Sequence, residues 1–462
     1  MSRLSRRQFI QTSSLLAAGS AVLPQGQNAV QAVQAQESKT PKPKKWFKGQ
    51  LHTHSQWSDG SGLPEMVCYF YKKNGYDFYC LSDHNNFQND SLRFTGFGFK
   101  KEPEDKSIFE GETSTWKFVN TKSGWAQMTQ AVIDQAVEVY GKDSVKIKTD
   151  KDGTRYVRLK PFKELQEQFE EKGKFLLIPG FEQTGASRDG LQVHMNFINV
   201  KDYFPYIREA NVVDTINANF EKGKEVYANN PEPYVFTLNH PQWPFYDVTP
   251  EALIQLDKVH FWELTNNPLS GGPAVPKAWT PEKYWDIVNA YRIANRKHVL
   301  WGTGSDDLHG LKLDSKPFLG WNMVRAEELT TRAIMEAMLS GDFYVSNGVT
   351  LKDVHFCPES KTLSVSVDPE AGEGIKIEFI GTKKTFSRPF ETIEHESPKR
   401  SISAYAENIG VVLKTVEGTE AAYTMQADDL YVRARVTIAA SKEERPKYQI
   451  LFPTAWTQPY VN

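Results

Sequence analysis

Phe78-Tyr79-Cys80-Leu81-Ser82-Asp83-His84 sets four apolar residues directly against three polar ones. A short apolar run of this kind reads as a strand, and the abrupt switch marks where it leaves the core. The same figure recurs along the chain. Phe175-Leu176-Leu177-Ile178 ends at Gly180-Phe181-Glu182, and Val235-Phe236-Thr237-Leu238 ends at Asn239-His240. Val299-Leu300-Trp301 leads through Gly302 and Gly304 into Ser305-Asp306-Asp307-Leu308-His309. Leu51-His52-Thr53-His54 adds two imidazoles on one strand face, because strand side chains repeat with period two.

Between these runs lie amphipathic segments with helix ends. Thr280 and Pro281 read as N-cap and first-turn proline of a helix carrying Tyr284, Val288 and Tyr291 on one face. Pro161 opens another, with Leu165 and Phe169 four apart and Gly173 closing it; a third carries Val132, Ala136, Val139 and Tyr140 and stops at Gly141. Short strands at 76–81, 174–178, 193–200, 235–238, 259–264 and 298–301 alternating with helices predict a parallel α/β body over residues 46–348. The tail from 349 to 462 reads as strands without intervening helices. Val432, Ala434, Val436 and Ile438 alternate with Arg433, Arg435 and Thr437, as expected of a small β-sandwich.

A chain of 462 residues can bury a large core and a second domain, and its formal net charge of -2 excludes the basic footprint of a nucleic-acid binder. No stretch after the N-terminus is long and apolar enough to span a bilayer. Ser5-Arg6-Arg7-Gln8-Phe9-Ile10 before the mild apolar run 15–23 has the layout of a twin-arginine export signal over residues 1–35, implying a periplasmic or secreted protein. Residues 36–45 read as a lysine- and proline-rich linker. Three cysteines, Cys68, Cys80 and Cys357, support no disulfide framework.

A single histidine at a strand end is ordinarily a hydrogen-bonded structural residue. Four such endings plus a His-x-His pair would be costly to bury together without cations to neutralise the carboxylates. Mixed imidazole and carboxylate donors favour zinc, manganese or iron over an all-oxygen magnesium or calcium cage.

His52-Thr53-His54 followed by Ser58-Asp59-Gly60, then Ser82-Asp83-His84, Glu182, His240-Pro241 and Asp307-Leu308-His309, with Gly341-Asp342-Phe343-Tyr344 after a helix, resembles the polymerase and histidinol phosphatase (PHP) domain of metal-dependent phosphoesterases. The resemblance implies a distorted (β/α)7 TIM-like barrel holding two or three divalent transition-metal ions. His52, His54, Glu182 and Asp307 would hold the first ion. Glu182 would bridge to a second held by His194 and His240, and Asp59, His84 and His309 would hold the third. The two-residue step to His309 selects Asp307 over Asp306, and Asp83 is expected to orient a ligand imidazole.

Hydrolysis of a small-molecule phosphomonoester or phosphodiester by a hydroxide generated between the cations follows from such a cluster. Glu182, Asp307 and Arg188 are the expected catalytic residues, Arg188 as a fork onto phosphate or else a solvated loop residue. Glu263 stays outside the ligand set as a possible supporting carboxylate. The insertion around 88–172, with Phe94, Phe97, Phe99, Trp116 and Trp125, is either a wall over the metal face or an external decoration. The rival functions are an amidohydrolase-like hydrolase, disfavoured by Glu182 at mid-barrel and by His309, and a non-catalytic cell-surface or polysaccharide-binding protein.

Overall fold

Parallel pairing of β1 (Lys45–Gln50) with β2 (Phe78–Leu81) starts the sheet, with Gly49 opposite Phe78 and Gln50 opposite Tyr79. Only glycine fits at Gly49, since a Cβ there would stand 2.0 Å from the Phe78 ring. The crossover is α1 (Pro64–Lys73), which has proline in its first turn and buries Met66, Val67, Phe70 and Tyr71. The computed structural model describes residues 43–89, 115–119, 128–241, 247–266, 280–313, 320–387, 391–396, 399–441 and 453–462. The expected export signal, most of the linker, and Phe94, Phe97, Phe99 and Trp125 of the insertion lie outside the described residues.

The insertion contributes β3 (Trp116–Phe118), α2 (Gln130–Tyr140), β4 (Ile147–Thr149) and β5 (Arg155–Arg158); its strands form a separate antiparallel sheet in the order β3-β5-β4. Gly141 caps α2 as expected, with φ +88°. Helix α3 (Phe162–Phe169) ends at Glu170 and does not reach Gly173. A tight turn in which the Glu171 amide donates to the Phe175 carbonyl, with Gly173 at φ +74°, takes over instead.

Strand β6 (Leu176–Ala186) lies parallel to β2, and β7 (Gln192–Ile198) returns antiparallel to it. Here the expected strand–helix alternation fails. Residues 187–191 close a hairpin, whereas a parallel crossover needs about a dozen residues or more. Helix α4 (Val212–Val226) leads to β8 (Val235–Leu238), antiparallel to β7. Parallel crossovers then resume through α5 (Pro250–Gln255), β9 (Phe261–Thr265), α6 (Pro281–Ala294) and β10 (Trp301–Gly304). Thr280 caps α6, its side chain accepting from the Lys283 amide at 3.2 Å.

β11 (Trp321–Ala326) pairs antiparallel with β1, and after α7 (Thr331–Leu339) β12 (Phe343–Ser346) pairs with β11. The sheet does not stop there. It continues through tail strands Thr454–Thr457, Asp429–Thr437, Lys376–Lys383 and Val411–Glu417, giving a mixed α/β fold with one 14-stranded sheet. A second, three-stranded tail sheet (Leu351–Cys357, Thr362–Val367, Glu420–Thr424) packs Val354, Leu363, Val365 and Val367 onto Ile377, Phe379, Val432, Ala434 and Val436. The alternation read in 432–438 holds, but its polar side is not solvated throughout. Arg433 is 1% exposed. Its guanidinium clamps Asp286 of α6 at 2.7 and 2.9 Å and reaches Glu282 at 3.0 Å, because α6 covers that face with two carboxylates.

The outer edge of β10 is satisfied by side-chain amides. Gln458 accepts from the Gly302 amide and donates to the Gly302 carbonyl, both at 2.9 Å. Asn322 does the same for Gly304 at 3.0 and 2.8 Å. Just beyond β10 the backbone joins the β1 side. The Asp307 amide donates to the His52 carbonyl at 3.2 Å and the His54 amide to the Leu308 carbonyl at 3.0 Å. No helix among the described residues is long and apolar enough to cross a membrane.

Gln458→Ala strips both polar groups of buried Gly302 of their partner. It is expected to lower unfolding free energy by about 1–3 kcal/mol. Urea denaturation measures this, and an unchanged midpoint would mean that β10 does not depend on the tail.

Candidate metal centre

His52 and His54 follow β1 on one face, their Nε2 atoms 3.1 Å apart, while Thr53 points the other way and bonds the Tyr79 hydroxyl at 2.7 Å. Glu182 on β6 sits between them, its oxygens 3.4 Å from His52 Nε2 and 3.6 Å from His54 Nε2. The same carboxylate meets His84 Nδ1, stands 3.3 Å from His194 Nδ1 and 3.8 Å from His240 Nε2. Asp307 Oδ1 lies 3.0 Å from His54 Nε2 and 3.3 Å from His52 Nε2, and its Oδ2 lies 3.9 Å from His240 Nε2. Asp59 Oδ1 faces ring nitrogens of His309, His84 and His54 at 3.3, 3.4 and 3.9 Å. The structure therefore gathers all nine expected ligands. Asp306 turns aside to accept from the Tyr71 hydroxyl at 3.1 Å.

These donor spacings fit cations. Donors at about 2.0–2.1 Å from a tetrahedral zinc stand about 3.3 Å from one another. Most of the contacts above are near that value and longer than ordinary hydrogen bonds. Asp59 Oδ1 is buried and makes no hydrogen bond although three ring nitrogens surround it. Four groupings bring their ligand atoms within 4.8 Å of one another: His54, Asp59, His84 and His309; His52, His240 and Asp307; His52, His54 and Glu182; and Glu182, His194 and His240. The clusters are compatible with divalent metal binding.

Local backbone bends aim these groups. His240 and Asp307 hold φ of 23° and 44°, and Asn85, beside His84, holds 48°. Non-glycine residues in that region cost of order 1–3 kcal/mol each and persist where surrounding structure demands them. Gly60 closes the turn that presents Asp59, where a Cβ would lie 2.3 Å from the His54 carbonyl oxygen.

A polar layer supports the cluster. Glu263 accepts from His52 Nδ1 at 2.6 Å, from Ser305 Oγ at 2.8 Å, from the His240 amide at 3.0 Å and from Asn266 at 2.5 Å. Asn239 donates to Glu182 at 2.8 Å and to Asn196 at 2.9 Å, and Asn196 donates to the Leu51 carbonyl at 3.1 Å. Asn239 and Asn196 were not singled out by sequence, although each lies one or two positions from a ligand histidine. Asp83 departs from expectation: it touches no imidazole. Its carboxylate instead takes the amides of Ser55 and Ser58 at 2.7 and 3.1 Å, both their hydroxyls, and Gln88. It thus anchors the turn that carries Asp59. Arg188 is exposed; its amide bonds the Glu209 carbonyl at 2.8 Å, and its guanidinium makes no hydrogen bond or ion pair among the described residues.

Burial and the nearby His84 and His309 push His54 down to about 3, and burial with His194 pushes His240 down to about 4, so both imidazoles are neutral at pH 7. Burial works against the charge on His309, yet Asp307 and Asp59 outweigh it and lift this imidazole to about 9. Burial likewise opposes ionisation of Glu182 and Asp307, but the surrounding imidazoles hold both well below the carboxylate range. Cations and protons thus compete for the same lone pairs.

Two outcomes follow. Because His309 must shed a proton to bind a metal, uptake at pH 7 should release protons and tighten as pH rises; calorimetry in buffers of different ionisation enthalpy measures the proton count. Glu263→Gln, which weakens the grip on His52 Nδ1, should reduce metal affinity by about 10–100-fold in chelator competition.

No protein-family model and no curated protein matches this chain. Among solved structures, it is similar to a two-domain protein of Bacteroides vulgatus ATCC 8482 described as containing a predicted PHP-like metal-dependent phosphoesterase, at 15% identity and a TM-score of 0.37, over 91% of this chain and 95% of that one.

Proposed function

We propose that this protein is an exported metal-dependent phosphoesterase of the PHP kind, acting on a small phosphomonoester or phosphodiester. The observation that carries this reading is the convergence of Asp59, Glu182, Asp307 and six histidines at cation-compatible spacing. Strands β1, β2 and β6–β10, with the backbone bonds linking Asp307 and Leu308 to His52 and His54, support a distorted (β/α)7 barrel. The tail from 349 is then an appended β-sandwich, and residues 1–35 a twin-arginine signal for a periplasmic or secreted destination.

In this reading His52, His54, Glu182 and Asp307 hold one zinc, manganese or iron ion, Glu182 with His194 and His240 a second, and Asp59, His84 and His309 a third. Such ions, when bound, activate water and neutralise charge developing on phosphate oxygens. The chain's own part is placement. Glu263 keeps His52 turned inward, Asn239 keeps Glu182 from rotating, and the bent backbone at Asp307 presents its carboxylate between His52 and His54. Arg188, on the exposed loop between β6 and β7, is the proposed fork onto the substrate phosphate.

Metal analysis of protein purified without chelator, paired with p-nitrophenyl phosphate and bis-p-nitrophenyl phosphate assays, tests the proposal. Two or three ions per chain are expected. His52→Ala and Asp307→Ala should each lower turnover at least about a hundredfold, or about 2.7 kcal/mol of barrier. Metal-loaded protein inert on both esters but active on amides or lactones would overturn the phosphoester assignment; protein that takes up no metal would overturn the catalytic one.

A further inference from the structure

Lys117 belongs to β3 of the insertion, yet its ammonium lies inside the body, 3% exposed. Nζ donates to the Gln56 carbonyl at 2.9 Å and the Ser58 carbonyl at 2.8 Å. These carbonyls flank Trp57, whose own carbonyl accepts from Asn86 at 2.6 Å and whose indole N–H donates to the Lys160 carbonyl at 3.0 Å. Three successive carbonyls before Asp59 are therefore each taken by a side-chain nitrogen from a distant segment. The amide side of the same turn is taken by Asp83.

A buried ammonium contributes little net stability, since the cost of desolvating it offsets much of what its hydrogen bonds contribute. Fixing a turn is another matter. Two charge-assisted bonds to carbonyls two residues apart set the path of the chain into Asp59, and Asp59 Oδ1 has to meet His84 and His309 at metal-sharing distance.

We propose that Lys117 is a positioning residue for the Asp59–His84–His309 metal site, so that the insertion is a working part of the metal centre. This inference rests on the metal-centre reading above. It assigns to the insertion a task that neither a wall over the mouth nor an external decoration would perform.

The test uses the full chain and titrates zinc and manganese separately, counting bound ions and their affinities by calorimetry and elemental analysis, alongside thermal unfolding in chelator. Lys117→Met leaves the Gln56 and Ser58 carbonyls without their donor and should lower the melting temperature in chelator modestly, with the fold retained. One ion should weaken by about 10–100-fold while the others keep their affinity. Asp59→Asn should weaken that same ion, and Lys117→Arg should restore part of the loss. Wild-type affinities for every ion in Lys117→Met, with Asp59→Asn impaired, would overturn the role of Lys117 while leaving the metal centre standing. Wild-type protein that binds no ion would overturn the metal centre itself. If Lys117→Met does not fold, Lys117→Gln is read the same way. Loss of folding in both would overturn the inference, because Lys117 would then serve the whole body and not one site.

Discussion

Three carboxylates and six imidazoles share one largely buried space at the ends of β1, β2, β8 and β10, with Glu182 reaching in from the middle of β6 and His194 from β7. Unbalanced charge there would cost more than the margin by which a domain is stable. The balance is struck by distance: Glu182 alone faces five ring nitrogens. Several polar features of the body either deliver a donor to this space or keep one from turning away.

Delivery is the work of strands and keeping is the work of hydrogen bonds. Glu263 joins His52, Ser305 and the His240 amide, so strands β1, β8 and β9 and the segment after β10 meet on one carboxylate. Asn239 and Asn196 tie Glu182 back to the chain just before His52. Asp83 and Lys117 hold opposite sides of the turn before Asp59. Polar networks of this kind help specify one arrangement of a core, which a chain with three free cysteines has to do without disulfides. The tail takes part as well. Gln458 completes the buried outer edge of β10, and Arg433 fastens α6 to the tail strand Asp429–Thr437.

Much of this was legible beforehand because strands and caps are local. Apolar runs predicted β2, β8 and β9 to within a few residues, and Thr280, Pro281 and Gly141 predicted helix ends where they occur. The strand at 193–200 was read, but its antiparallel direction was missed because an apolar run carries no strand direction; only the short connection at 187–191 does. The alternation at 432–438 places Arg433 on the face opposite the apolar residues, and nothing local foretells that α6 brings two carboxylates over it. The resemblance implied that Asp83 orients an imidazole, but its side chain goes to the turn before Asp59, a long-range pairing that no local pattern encodes.

By itself the sequence determined the donor types, the placement of most of them just past strand ends and the strand–helix rhythm of an α/β body, because these depend on residues within one element; Glu182 and His194 instead lie inside β6 and β7. Tertiary structure alone decided that Asp306 turns to the Tyr71 hydroxyl, that Asp83 goes to the turn before Asp59, and that Lys117 and Gln458 serve a turn and a strand 59 and 156 residues away. Such pairings depend on which surfaces are brought together once the sheet forms, and no periodicity along the chain encodes them.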